Sequence, residues 1–197
     1  PASRAAGPAP DAQGMARLVD HLPAGASAAE PAAPADAARC GPAGGWACAI
    51  ELTDIALTSP GQGWVVGEAG YAARFADGRL EPMDTPTDAR IEAVAAASSD
   101  RAWAVGSGIF GYEGGAWSLA AAGDQWLVDV DLAGPEDGWA VGPQRQAWRY
   151  RDGAWAPQEL PTDAAVVAVD AVTEDEAWAV DAEGTVLRFA GGAWAVD

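Results

Sequence analysis

AWAVGSG, residues 102–108, returns in altered form three more times in the same chain: GWVVGEAG at 63–70, GWAVGPQ at 138–144 and AWAVDAEG at 177–184. The tryptophans that anchor these phrases, Trp64, Trp103, Trp139 and Trp178, stand 39, 36 and 39 residues apart. Self-similarity at such a period marks a repeat architecture and has to be resolved before any other fold argument. The repeat extends well beyond the phrase. Nine residues before each Trp stands Ile55, Val94, Val130 or Val169, and two after it Val66, Val105, Val141 or Val180. Three after it comes Gly67, Gly106 or Gly142, with Asp181 in the last copy. An aromatic follows at Phe75, Tyr112, Tyr150 and Phe189. A Gly-x-Trp then places Trp117, Trp155 and Trp194, for which the first copy has Leu80. The units run 52–89, 90–125, 126–164 and 165–197.

Within a unit the apolar pieces are short, rich in β-branched and aromatic residues, and bounded by turn clusters. In the third, LVDVDLA, GWAVG, AWRYR and AWAPQEL are separated by GPED, PQRQ and RDG. Four strands of about five residues with tight turns fill such a unit and leave no room for a helix. A lone four-stranded meander leaves both faces wet, so it has to stack on its neighbours. Radial stacking of such sheets predicts an all-β fold, a β-propeller of four-stranded blades. Trp and Val alternate with Ala on the second strand, which predicts that they wedge between blades while the Gly permits the turn that follows. Burying one Trp contributes up to about 5 kcal/mol by area, an upper bound. One phrase does not fit: GGWACAIE at 44–51 resembles the outer-strand GGAW, yet the last unit already ends in its own GGAWAVD. A single four-bladed domain over 46–197 is the favoured arrangement; a slice of a larger propeller, an extra strand pairing elsewhere, and two chains sharing a ring are the alternatives.

Residues 1–45 differ in kind. They hold 7 of the 14 prolines and 16 alanines, too little apolar surface to offset the entropy of ordering, and are expected to be an extended tail. Within 11–22, Met15, Leu18, Val19 and Leu22 fall on one helical face, with Asp11 placed to cap it and Pro23 to stop it. This is either a nascent helix in a linker or a docking helix that lays its stripe on a partner. Cys40 and Cys48, the only cysteines, would close a nine-residue loop. Such a loop is worth about 2–3 kcal/mol in the entropy model. The close spacing, without CxxC or CxxCH, suggests a disulfide in an oxidising compartment, periplasmic or extracellular; two unrelated thiols and a metal site are the alternatives. The chain opens without Met and shows no signal-like apolar segment, which suits a processed product or part of a longer one.

With 29 acidic and 11 basic residues the formal net charge is −18. So acidic a surface repels nucleic-acid phosphate and anionic lipid. The absence of Lys and Asn reads as a GC-rich genome, or less directly as heat adaptation. No apolar run approaches the roughly 18 residues that a membrane-spanning helix needs.

Chemistry is sparse. His21 is the only histidine and lies in the tail, so Ser-His and Cys-His arrangements are excluded from the repeats. A carboxylate pair of the kind glycosidases use is inevitable by chance among so many acids. Arg74, Arg149 and Arg188 each precede the repeat aromatic by one residue, and periodic Arg reads as blade structure. Asp54, Asp129, Asp131 and Asp170 fall on first strands, where a propeller channel would run. Converging there, they could hold Ca²⁺, but they do not share one repeat position, and solvated channel residues are the expectation. Trp126 and Trp148 are off the repeat, and either contact a partner or sugar or belong to the core.

WAVG, a short strand ending in an aromatic, then DG or GG and Trp, resembles the repeats of bacterial BNR-type propellers, including those similar to photosystem II assembly factors. The resemblance spans the four units. It departs from the sialidase Asp-box, since SSDRAW at 98–103 keeps Ser98, Asp100 and Trp103 but lacks the glycine. It implies a non-catalytic interaction module without cofactor. The expected role is an accessory, scaffold or assembly subunit of a larger extracytoplasmic or membrane-associated complex, with protein subunits as partners and no span of its own. Met15, Leu18, Val19, Leu22, Trp126 and Trp148 are the candidate partner-binding residues. A carbohydrate-binding or glycoside-hydrolysing propeller is the alternative.

Overall fold

Each unit becomes a four-stranded antiparallel meander because its strands alternate around hairpins that only certain residues can turn. In a computed structural model, which describes residues 50–121, 126–143 and 145–197, sixteen strands form four such sheets in chain order. The first blade holds β1 (Leu52–Ser59), β2 (Gln62–Gly67), β3 (Ala72–Ala76) and β4 (Arg79–Met83), the second β5 (Ile91–Ser98), β6 (Arg101–Gly106), β7 (Ile109–Glu113) and β8 (Ala116–Ala121). The third holds β9 (Asp129–Gly134), β10 (Asp137–Val141), β11 (Gln146–Arg151) and β12 (Ala154–Glu159), the fourth β13 (Val166–Thr173), β14 (Glu176–Asp181), β15 (Val186–Ala190) and β16 (Ala193–Val196). The outer hairpins turn on Asp77-Gly78, Gly114-Gly115, Asp152-Gly153 and Gly191-Gly192, every one with positive φ at both positions. That is the two-residue geometry whose twist matches the flanking strands, which explains the DG and GG of the repeat. The expectations placed on Met15, Leu18, Val19, Leu22, His21, Cys40 and Cys48 lie outside the described residues.

The innermost strands pack in series, β1 beside β5, β5 beside β9 and β9 beside β13. Three apolar clusters fill the three junctions between successive blades. Each is built the same way. The second-strand Trp of one blade inserts between the third-strand aromatic and the fourth-strand Trp of the next: Trp64 against Tyr112 (4.2 Å) and Trp117 (5.3 Å), Trp103 against Tyr150 (4.7 Å) and Trp155 (5.5 Å), and Trp139 against Phe189 (4.7 Å) and Trp194 (5.0 Å). The edge-to-face tilt suits the ring quadrupoles. The indole N–H groups of Trp64, Trp103 and Trp139 are buried without a protein acceptor, so ring packing is what holds them.

Two expectations change here. Gly67, Gly106 and Gly142 do not serve a left-handed turn. A Cβ on them would lie 2.4, 2.5 and 2.2 Å from the carbonyl oxygens of Glu51, Arg90 and Trp126, so glycine is required by the close approach of the chain entering the blade. The four blades also form an open arc, not a ring closed on itself. No comparable packing joins β13 to β1 among the described residues, and Trp178, the fourth of the anchoring tryptophans, is only half-buried.

Candidate functional site

The carboxylates expected to face a solvated channel are for the most part joints between blades. Asp54 accepts the Ile55 N–H through Oδ1 (2.8 Å) and the Val94 N–H of the next blade through Oδ2 (2.9 Å). Asp129 repeats this with Val130 (2.9 Å) and Val169 (2.7 Å), and Asp131 accepts the Ala171 N–H (2.8 Å). Thr53 donates from its hydroxyl to the Ile91 carbonyl (2.6 Å). A backbone amide facing a neighbouring blade thereby finds an acceptor it would otherwise lack. Burial pushes the Asp129 and Asp131 carboxyls above their ordinary range, against the backbone hydrogen bonds that pull them down. Asp170 alone of the four is exposed and has no such amide. Among the described residues no group of three or more His, Cys, Asp or Glu side chains is arranged to hold a metal ion.

The periodic arginines are structural, as their spacing implies. Arg149 is buried, with Nη2 2.8 Å from Asp137 Oδ2, a further hydrogen bond to the Glu174 carbonyl of the next blade, and its guanidinium 5.1 Å from the Trp139 ring and 4.8 Å from Phe189. Asp137 is itself buried, its carboxyl raised by desolvation while Arg149 pulls it down. Arg74 reaches Asp100 across the first junction at 3.7 Å, and Arg188 pairs with Glu176 of its own blade (2.8 Å) beneath Trp178. The second blade departs from the pattern. Its residue at the arginine position is Gly111, where a Cβ would meet the Trp103 ring at 2.4 Å, and Arg101 on β6 takes over, reaching Glu136 and the Tyr150 hydroxyl (2.6 Å) of the third blade.

One rim of the arc gathers an exposed aromatic and a charge cluster. Arg90 lies among Glu68 (3.0 Å), Glu92 (3.0 Å) and Glu51 (3.6 Å), and the exposed Trp126 indole donates to the other oxygen of Glu92 (3.0 Å). Trp126 and Trp148 thus part company: Trp148 is half-buried and packs against the junction of the second and third blades. The structure brings Trp126 together with Glu51, Glu68, Arg90 and Glu92. Sequence reasoning singled out only the first, because the other four come from the segment before β1, the β2–β3 connection and the start of β5, which are brought together solely by the fold.

No protein-family model and no curated protein matches the chain. Solved structures do. The chain is similar to the WD40 β-propeller domain of Doa1 (7% identity, TM-score 0.61, covering 73% of this chain and 53% of that one). It is similar to YCF48 bound to D1 peptide (16%, 0.55, 74% and 52%), and to YCF48 from Cyanidioschyzon merolae (20%, 0.52, 75% and 56%). The fold is a β-propeller, and the chain spans about half the length of the propellers it matches.

Proposed function

We propose that this chain is a non-catalytic protein-interaction module of BNR-type blades. It serves as an accessory, scaffold or assembly subunit of a larger extracytoplasmic or membrane-associated complex. One observation carries the reading: Asp54, Asp129, Asp131 and Arg149 are engaged in joining blades, while the rim sets the exposed Trp126 indole beside Glu92 and the Arg90 cluster with Glu68 and Glu51. An exposed indole held by Glu92, beside three glutamates that share one arginine, suits a basic partner segment anchored by an apolar side chain, since aromatic anchors dominate interface energetics and the charged surround steers and selects. The similar propeller YCF48, bound to D1 peptide, supports the reading by analogy of fold. The spacing of Cys40 and Cys48 supports an oxidising compartment.

The test is affinity capture of the full chain from its native cells in mild detergent, with mass spectrometry, beside Trp126→Ala and a chain lacking residues 1–45. A stoichiometric partner that is lost with Trp126→Ala is the expected result. No protein partner, together with binding on a glycan array, would overturn it in favour of the carbohydrate reading.

A further inference from the structure

The two end faces of the arc carry junction residues that have nothing to join among the described residues. On the leading face of each blade the same positions, on the first strand or just before it, recur. Ile91, Leu127 and Val166 are 0, 2 and 0% exposed, while Leu52 at that position in the first blade is 49% exposed. Val94, Val130 and Val169 are 4, 5 and 8% exposed, and Ile55 is 54%. The trailing face of the fourth blade is the mirror case: Val180 is 39% exposed where Val66, Val105 and Val141 are at 0%. Beside it Ala168, Val169, Asp170, Trp178, Ala179 and Val180 line an open groove of about 150 Å³. An exposed apolar stripe of this kind marks an interaction surface.

The two faces also complement each other position by position. Trp178 lacks the pair of side chains that receives Trp64, Trp103 and Trp139, and the first blade offers Phe75 and Leu80 at those two positions with no tryptophan between them. Asp170 stands eight residues before its Trp, as Asp131 does, and Asp131 accepts the N–H of Ala171, seven before the next Trp. The corresponding amide in the first blade is that of Leu57. β1 and β13 have the same register against their second strands, with the irregularity at Leu57/Ser59 matching that at Ala171/Thr173, so Leu57 offers its N–H as Ala171 does.

We infer that the occupant is a second copy of this chain. Blade four of each copy stacks on blade one of the other, Trp178 seats between Phe75 and Leu80, and Asp170 caps the Leu57 amide. Every chain carries both halves of the missing junction, so a two-fold pair satisfies both end faces at once, as an isologous closure does. Four blades and four give eight, within the range of closed propellers.

Sedimentation velocity on the full chain tests this. A two-chain species is expected at micromolar concentration. Trp178→Glu, Val180→Glu and Ile55→Glu, each on an end face, should convert it to one chain with an unchanged far-ultraviolet circular dichroism spectrum. Leu119→Glu, an exposed apolar residue of an outer strand away from both faces, should leave it paired. A wild-type chain that sediments alone, a pair indifferent to all three end-face variants, or a pair dissolved equally by Leu119→Glu would each overturn the inference.

Discussion

The three internal junctions and the two end faces are built from one set of repeat positions, yet the first are buried and the second exposed. Trp139 is fully buried between Phe189 and Trp194, while Trp178, its counterpart one blade on, is half-buried with Arg188 beneath it. A repeat's side chain therefore has no stability of its own. It acquires one from the neighbour it meets, which is the nearest-neighbour logic of stacked repeats. Trp139→Ala should give the largest loss, about 3–5 kcal/mol, as a buried aromatic leaves a cavity. Trp178→Ala, in protein dilute enough to be a single chain, should lose less than about half of that. Urea unfolding of the two variants measures the difference directly, and equal losses would break the comparison.

Arginine sharpens it. Removing Arg149 leaves buried Asp137 with only the more distant Arg151 at 3.8 Å, and breaking a buried pair in this way costs up to about 3–5 kcal/mol. Arg188→Ala opens the exposed pair with Glu176, worth under about 1 kcal/mol, and the partly exposed stacking on Trp178. The wider fold tolerates the first loss only if Asp137 can be neutralised. Arg149→Ala/Asp137→Asn should therefore recover part of the stability that Arg149→Ala gives up.

The carboxylates give a smaller effect. Asp129→Ala strands the Val169 N–H and should cost about 1–3 kcal/mol. Asp170→Ala strands no amide inside the arc and relieves the like charge beside Asp131, so in the single chain it should lower the thermal midpoint less than Asp129→Ala.

The repeat itself was legible because Trp, Val, Gly and the outer-hairpin DG or GG recur at fixed offsets, and each has one physical use in a twisted meander. The arginines were legible for the same reason. The role of Asp54, Asp129 and Asp131 was not: their partners are backbone amides 40 residues away, and an amide leaves no mark on the sequence. The glycines were placed correctly for the wrong cause, since sequence cannot distinguish a residue that needs positive φ from one that needs no Cβ. The rim was hidden too, because Arg90, Glu68 and Glu92 look like ordinary solvated charges until blade stacking brings them under Trp126. Nor does spacing say whether four repeats close on themselves, a property set by the angle between blades.

Acidity separates the junction carboxylates from the surface. Asp129, Asp131 and Asp137 are raised above 3.8 by burial, so the folded chain holds their protons more tightly than the unfolded one. Their contribution is fully present below about pH 3.8 and is lost as pH rises through the raised folded values, so stability should increase as neutral solution is acidified. Asp181 works in the opposite sense. Held below 3.8 by the Thr162 hydroxyl first and by the Thr185 and Glu183 amides, it contributes stability above 3.8 that is lost as pH falls through its folded value. The two together place the thermal maximum on the acid side of neutrality, a direction that relief of the −18 charge reinforces. Thermal midpoints taken from pH 3 to 8 should trace that maximum. Asp129→Asn should flatten its neutral limb and Asp181→Asn its acid limb, whereas Asp170→Asn, which removes only the like charge beside Asp131, should change the neutral limb less than Asp129→Asn does.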